Sequence, residues 1–450
     1  MQIIIIGAGD IGSYLAKQLS AQGHSICVID IDKNKIKQLQ AILDARVMHA
    51  HCANASTLAD AGAATSDIII ALTPDTSLNL VACSIAKSMG TKKALCRVEP
   101  SVQREEWLFN YQAHFNVDII FSPERFAAIE LAKHVRNPDS IQVEELAKGE
   151  IELQQISINQ SSPWADARLG DLKRVDNTLI ASVCRDGESF VPHANSILKA
   201  DDIATIVGEP RDLTKLAKLL HKSTRADKTI NVIIFGGGEY GLSLAQMIEN
   251  LKNIRVKLIE KDLERANDLV QILASTSIIR IDGTIAEELK EEQIDETDFF
   301  IAMSGDDEDN LMSCLQASTL GAKQCLTLIH RTDYANVVRN QGKNFGIIAA
   351  VSPKEVTAKE VQKYITNKAY FVSHQIQGND LIEIDIPEGS SLDQQQVQQI
   401  EWPQGVVLLG ISKFKKSQVP HADSLLEAGQ TVHALVEKPA LKAFLKLFKS

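Results

Sequence analysis

No stretch of this 450-residue chain stays apolar for the 18 or so residues that a membrane-spanning helix needs. The opening MQIIIIG carries no basic leader, and its apolar run is too short for a secretion signal, so it reads as a buried strand. These two absences predict a cytosolic protein that reaches a membrane only through a partner. Paired cysteines are lacking as well. Cys27, Cys52, Cys83, Cys96, Cys184, Cys314 and Cys325 include no CxxC pair and no Cys/His metal spacing, and most sit in apolar contexts. Reduced core thiols are therefore expected, and no metal site. Positive charge is in deficit: 47 Lys and Arg stand against 58 Asp and Glu, a formal net charge of −11. That disfavours a general electrostatic grip on nucleic acid, which needs clustered cations. No GxSxG, HExxH or GxxxxGK[ST] occurs, so the motifs of serine hydrolases, zinc proteases and P-loop enzymes are missing.

What is present is present twice. IIIIGAGDIG begins at Ile3 and IIFGGGEYG at Ile233; Gly7 and Gly236 are 229 positions apart. VIDIDKNKIKQL at Val28 returns as LIEKDLERANDL at Leu258. SDIIIALTPDTSLNLVA at Ser66 is answered by TDFFIAMSGDDEDNLMS at Thr297, so that Asp67 matches Asp298 and Asn79 matches Asn310. VPHANSILKAD at Val191 and VPHADSLLEAG at Val419 share seven of eleven positions. The chain is a duplication of a unit of roughly 225 residues, joined at the polar segment His221–Thr229.

Each unit has two parts. In the first, short apolar runs (Ile3–Ile6, Ile26–Ile29, Arg46–His49, Ile68–Leu72, Ala94–Val98 and Val117–Phe121) alternate with helical patterns such as Asp10–Ala21 and Ser77–Ser88. Such alternation predicts an α/β fold, a Rossmann-type doubly wound parallel sheet covered on both faces. The second part has alternating runs (IELQQISI, TLIASVCR, DIATIVG) and an amphipathic stretch at Asp212–Leu220, which predict a small α+β module. The expected order is sheet domain 1–137, small module 138–222, sheet domain 230–365 and small module 366–450.

A lone GxGxxG is weak evidence. Here each copy follows an apolar strand, opens a helix and is answered by an acid at the end of the next strand. Gly7, Gly9 and Gly12 are followed by Asp30; Gly236, Gly238 and Gly241 by Glu260. This is the dinucleotide fingerprint: a tight turn, room for a pyrophosphate, close helix–strand packing, and a carboxylate for ribose hydroxyls. Phosphates would face the N–H groups and dipole of the helix start. The acid repels a 2′-phosphate, which favours NAD(H) or an adenine nucleotide over NADP(H). Thr73 and Pro74 follow the fourth strand, where ligands of such sheets sit, and Arg97 ends the fifth, where it could meet a phosphate or serve as a surface ion-pair partner. The counterpart of Arg97 is Leu328, so the two clefts are expected to differ. Asp282-Gly283-Thr284 follows the third strand of the second copy, a place for adenine contacts; the first copy has Cys52-Ala53-Asn54 there.

An enzyme would need a proton-transferring group near a nicotinamide. His193 and His421 recur beside Pro192 and Pro420, and that recurrence reads as a turn rather than chemistry. The acidic run Asp306–Asp309 reads as a helix start complementing the dipole, rather than a cation site.

With IIIIGAGDIGSYLAKQL, VIDIDKNKIKQLQ, IIFGGGEYG, KLIEKD and DGTIAEELKEEQIDETDFFIAMSGDDEDNLMS in the tandem order just described, the chain resembles the TrkA family, in which RCK (TrkA-N) and TrkA-C domains alternate twice. The resemblance covers essentially the whole chain. It implies a non-enzymatic, cytosolic regulatory subunit of the Trk potassium uptake system. It implies NAD+/NADH and ATP/ADP as ligands, and a homo-oligomer, a dimer or tetrameric gating ring. It also implies attachment to a membrane potassium transporter subunit of the TrkH/TrkG type at the cytoplasmic face of the inner membrane. Carried over by position, Gly7, Ala8, Gly9, Asp10, Ile11, Asp30, Thr73, Pro74 and Arg97 make the first nucleotide site. Gly236, Gly237, Gly238, Glu239, Tyr240, Glu260, Asp282 and Gly283 make the second. The segment HCANAS departs from the Gly-Asp pair usual in relatives. The alternatives are a regulator of another cation channel or exchanger, and an NAD-dependent oxidoreductase.

Overall fold

The computed structural model describes residues 1–138, 140–173, 175–221, 229–365, 370–413 and 416–449. Residues 222–228 of the expected junction lie outside the described residues. Among those described, no helix is long and apolar enough to cross a membrane.

The first sheet is formed by β1 (Gln2–Ile6), β2 (Ser25–Asp30), β3 (Arg46–His49), β4 (Ile68–Ala71), β5 (Lys93–Arg97) and β6 (Ile119–Phe121), all parallel, in the order β3-β2-β1-β4-β5-β6. The second sheet has β7 (Ser140–Leu146), β8 (Ile151–Ser157), β9 (Thr178–Arg185), β10 (Glu188–Phe190) and β11 (Ile203–Gly208). It is antiparallel, in the order β10-β9-β11-β8-β7. The third, β12 (Ile230–Phe235), β13 (Ile254–Ile259), β14 (Ser277–Ile279), β15 (Phe299–Ala302), β16 (Gln324–Leu328) and β17 (Ile347–Val351), repeats the first strand for strand, β14-β13-β12-β15-β16-β17. The fourth contains β18 (Tyr370–Ile376), β19 (Asn379–Asp385), β20 (Val406–Lys413), β21 (Lys416–Gln418) and β22 (Thr431–Val436), antiparallel in the order β18-β19-β22-β20-β21. The fold is the duplicated Rossmann-type α/β domain with small antiparallel modules that the pattern predicts.

The chain divides into two compact units, Met1–Val135 with Thr229–Ile365, and Arg136–Lys228 with Thr366–Ser450. The first unit joins the two Rossmann sheets, and they exchange helices. Helix Pro123–Arg136 leaves β6 and buries Ala127, Ala128, Leu131, Ala132 and Val135 in one cluster with Val232, Ile234 and Leu258 of the other sheet. Helix Pro353–Gln362 returns the exchange: Ala358 and Val361, with Ile365 beyond it, pack with Ile3, Ile5 and Leu15 of the first sheet. Gln362 Nε2 donates to Gln18 Oε1 at 2.7 Å across that contact. At about 25 cal/mol per Å² of buried apolar area, each exchanged Leu or Val contributes roughly 1.5–3 kcal/mol, so neither sheet is complete without the other copy's last helix.

In the second unit the two small sheets share a core of Leu146, Ile151, Leu153, Ala181 and Val207 with Ile376, Leu381, Leu409, Val419 and Leu435. Each sheet also carries its own helix: Pro210–His221 buries Leu213, Leu216 and Leu220, and Leu441–Leu447 buries Phe444.

Candidate nucleotide clefts

Both glycine-rich turns lie at the carboxyl ends of their sheets, and each glycine has a separate physical reason. Gly7 and Gly236 take φ of +98° and +106°, a region costly for any residue with a Cβ. A Cβ at Gly12 would stand 1.9 Å from the Gly7 carbonyl oxygen, and one at Gly241 equally close to that of Gly236. The third glycine therefore lets helix and turn touch. The middle glycines are different: a Cβ at Gly9 or Gly238 would meet nothing within 4 Å. The room beside them is open, and it lies at a helix start.

That helix start is bare. The helices Asp10–Ala21 and Glu239–Ile248 have Gly9 and Gly238 as N-caps, and no side chain accepts their first-turn N–H groups. Several neighbouring helices are capped, by Asp32, Asp75, Asp262 and Asp306. An uncapped N-terminus holding unpaired donors and the positive end of a helix dipole is an anion site. These residues thus fit a phosphate-bearing ligand.

The acids close the clefts from the next strand. Asp30 accepts the Ala8 N–H at 2.6 Å and the Asp32 N–H at 2.8 Å. Glu260 repeats this with Gly237 N–H at 3.0 Å and Asp262 N–H at 2.9 Å. Each carboxylate fastens its own turn, and its remaining lone pairs stay available to a ribose diol. Glu260 is one methylene longer than Asp30. A Cβ at Gly237 would lie 2.5 Å from Leu269 Cδ1 and 2.8 Å from Glu260 Oε2, whereas Ala8 keeps its methyl group.

The flanking positions diverge. Thr73 is half-buried and Pro74 exposed. Thr73 is fixed by Asn79, the residue that Asn310 repeats in the second copy. The Asn79 Oδ1 accepts from Thr73 N–H at 3.1 Å and from its hydroxyl at 2.6 Å, and Nδ2 donates to the carbonyls of Thr73 and Arg97. Asn310 ties Ser304 to the Leu328 carbonyl in the same way. Both asparagines are fully buried. Arg97 reaches the same edge of the sheet, where its guanidinium bonds Glu124 at 2.7 Å; Glu124 also accepts the Ser122 hydroxyl. Leu328, its counterpart, is buried core.

In the second cleft Asp282 accepts the Thr284 hydroxyl at 2.7 Å and its N–H at 3.0 Å, and these bonds hold its carboxyl below the usual range. Gly283 is required by packing, since a Cβ there would come 2.5 Å from the Phe235 ring. The first cleft has Cys52 here, buried, its thiol pushed up to about 11 by desolvation. Glu239 is held between Arg265, at 3.0 Å, and Arg104 of the first copy, at 3.8 Å. Arg265 also donates to the Gly237 carbonyl at 2.7 Å, a cation over the turn that the motif alone does not reveal. Tyr240 packs against the cluster holding the exchanged helix; burial and then the charge of Glu124 push its phenol upward.

Other expectations find structural roles. His193 and His421 sit in matching turns, each with its N–H donated to a serine hydroxyl, Ser196 and Ser424. Asp306 caps its helix, and Asp307 accepts the His330 and Arg331 N–H groups at 2.8 Å each.

Comparison with known proteins is consistent along the chain. The TrkA-N domain model matches residues 3–123 and 232–353, and the TrkA-C domain model matches 153–221 and 381–449. The Trk system potassium uptake protein TrkA homolog 1 of Methanosarcina mazei is 28% identical over 458 residues, covering 100% of both chains. That of Halomonas elongata, named Trk system potassium uptake protein TrkA, is 28% identical over 462 residues, covering 100% of this chain and 99% of its own. Among solved structures, the GsuK channel bound to NAD superposes with a TM-score of 0.63 at 16% identity, over 99% of this chain and 78% of that one. The GsuK RCK domain gives 0.62 at 16% identity, over 99% and 94%. At that identity the likeness concerns the fold.

Proposed function

We propose that this chain, which belongs to the TrkA family of tandem TrkA-N and TrkA-C domains, is a regulatory subunit that gates a membrane potassium uptake transporter according to nucleotide occupancy of its two clefts. The observation that carries this reading is the pair of uncapped helix starts, each beside open space over a glycine and each answered by a carboxylate that fastens the turn from the next strand. NAD(H) and ATP or ADP are the ligands such a cleft suits, and solved relatives of the fold are described as bound to NAD and to ADP. The names of the full-length relatives support potassium uptake as the process. The partner is a membrane subunit of the TrkH/TrkG type, the chain lies at the cytoplasmic face, and it works as a homo-oligomer. Duplication of the cleft within one chain favours sensing over catalysis, which needs a single reaction centre.

The clefts are built to influence each other. Glu124, at the start of the first exchanged helix, bonds Arg97 of one cleft, and the phenol of Tyr240 in the other, raised first by burial, is raised further by the charge of Glu124 and lowered by that of Arg97. A phosphate arriving near Arg97 would compete with Glu124 and change the charge felt at Tyr240. The shift can be no larger than the ligand's differential affinity for the two states. A tenfold preference per cleft is about 1.4 kcal/mol, so several clefts per assembly are needed for a decisive switch. The test is potassium flux through the reconstituted transporter with this chain bound. Flux should change with ATP, ADP or NADH, and identical flux in all of them rejects gating.

A further inference from the structure

We propose that the turn 105–110 of the first copy is the surface on which the membrane partner docks, through a basic amphipathic segment of its cytoplasmic side; the proposal rests on the gating role set out above. The turn follows the short helix Pro100–Arg104 and reads Glu-Glu-Trp-Leu-Phe-Asn. Trp107 is 85% exposed, Leu108 68% and Phe109 41%. Three consecutive large apolar side chains open roughly 400 Å² to solvent, a size at which an apolar patch on a single chain often marks an interaction site. The patch is held in shape by its own bonds. Leu108 N–H and Phe109 N–H both donate to the Glu105 carbonyl, at 2.8 and 3.1 Å, and Asn110 Oδ1 accepts the Ala113 N–H at 2.9 Å. Phe109 meets Tyr111 edge-on with ring centroids 4.9 Å apart, and His114 at 5.1 Å. Val102, Tyr111 and Phe115 pack against the core of the first sheet. Trp107 and Leu108 thus project from a fixed base.

Charge selects the partner. Glu105 and Glu106 are exposed beside the patch, and neither forms an ion pair among the described residues. Apolar surface edged by unneutralised acids fits a segment with one apolar face and Lys or Arg around it. Cytoplasmic loops of membrane proteins are rich in those cations. A second copy of the chain fits less well. A two-fold contact would set Glu105 and Glu106 against themselves, and like charges oppose it. Nor does the repeat carry a matching patch. At the 231-residue offset Trp107 becomes Val338, which is buried, while Leu108 and Phe109 become Arg339 and Asn340, with Val337 exposed beside them.

Position links the patch to both clefts. The helix Pro100–Arg104 begins just beyond Arg97 of the first cleft. Its last residue, Arg104, reaches the second: it lies 3.4 Å from Gln246 Oε1 and 3.8 Å from the Glu239 carboxylate, both on the helix that opens that cleft. A phosphate competing for Arg97 or Arg104 would pull on the helix from which Trp107 projects. The turn is therefore placed to carry the occupancy of either cleft to a docked partner, and a partner docked there would in turn change the affinity of both.

The experiment measures binding of the full chain to the TrkH/TrkG-type membrane subunit in nanodiscs, alongside nucleotide-dependent potassium flux. Trp107→Ser should weaken docking about tenfold or more, with the melting temperature, NADH affinity and sedimentation of the free chain unchanged. Glu105→Lys combined with Glu106→Lys should weaken docking as well and remove the salt dependence of the wild-type contact. Docking unchanged in Trp107→Ser, with flux still responding to nucleotide, overturns the docking surface and leaves the gating role standing. Loss of the chain's self-association in Trp107→Ser overturns it in favour of a second copy as the occupant. A wild-type chain that binds no membrane subunit and alters no flux overturns both readings.

Discussion

The two glycine-rich clefts share a skeleton and differ in charge. Backbone geometry is nearly superimposable by role: Gly7 with Gly236 in the left-handed region, Gly12 with Gly241 against a carbonyl, Gly9 with Gly238 beside open room. The electrostatic surroundings are not. The first has the short acid Asp30, an arginine tied to Glu124, and a buried thiol where the second has Asp282. The second has the longer Glu260, a leucine in place of that arginine, and two arginines on Glu239. Sterics at a tight turn leave few solutions, so the glycines persist through duplication. Charges around an open cleft have many, so they drift.

The comparison can be broken most directly at the steric constant. Gly12→Ala or Gly241→Ala should each destabilise the fold by about 3 kcal/mol and abolish nucleotide binding in its own cleft. Thermal melts and titration check this, and retained affinity in either variant would contradict the role of the contact. The exchanged helices make a second, similar demand. Leu131→Ala, a substitution in the first copy, should cost about 2–5 kcal/mol and loosen amide exchange along β12 and β13 of the second. Exchange confined to β1–β6 would show that the copies fold independently.

A smaller effect sharpens the difference between the acids. Gly237→Ala should cost about 1–3 kcal/mol, and Glu260→Asp should relieve part of it by withdrawing the carboxylate. A double-mutant cycle reads the coupling, and strict additivity would sink the explanation of Gly237, the middle glycine of the run Gly236–Gly238. The small modules offer the mildest contrast. His433 is buried beside Ser412, its Nδ1 carries no hydrogen bond and lies 3.9 Å from the Glu383 carboxylate, and burial lowers its imidazole to about 4; the first module has Thr205 there. Because the folded value lies below the unfolded one, stability is intact above about pH 6.5 and falls as pH drops from there to about 4. His433→Thr should flatten that acid-side decline in urea melts taken across the window.

Much of the fold was legible along the chain. Arg46–His49 and Asp10–Ala21 appear with the bounds their patterns suggest, and β1, β2, β4 and β5 differ by a residue or two at their ends. The last strand of the first sheet is shorter than its apolar run, Ile119–Phe121 within Val117–Phe121, because Val117 packs as core before the strand begins. The turn geometry of the cleft glycines and the strand-end placement of Asp30 and Glu260 were equally readable, since their reasons are local. Asn79 and Asn310 were visible only as a repeated pair; that their amides clamp two strand ends follows from burial. Arg265 left no signal beyond an ordinary helical charge.

Sequence alone determined two Rossmann sheets, their turns and their small companions, because strand and helix periodicity and glycine sterics act over a few residues. Tertiary structure alone decided which sheet each last helix covers. Periodicity marks the apolar face of Pro123–Arg136 and of Pro353–Gln362, but in a duplicated chain two equivalent sheets compete for that face. The choice rests on packing between residues more than a hundred positions apart, as when Leu131 and Val232 enter one core cluster.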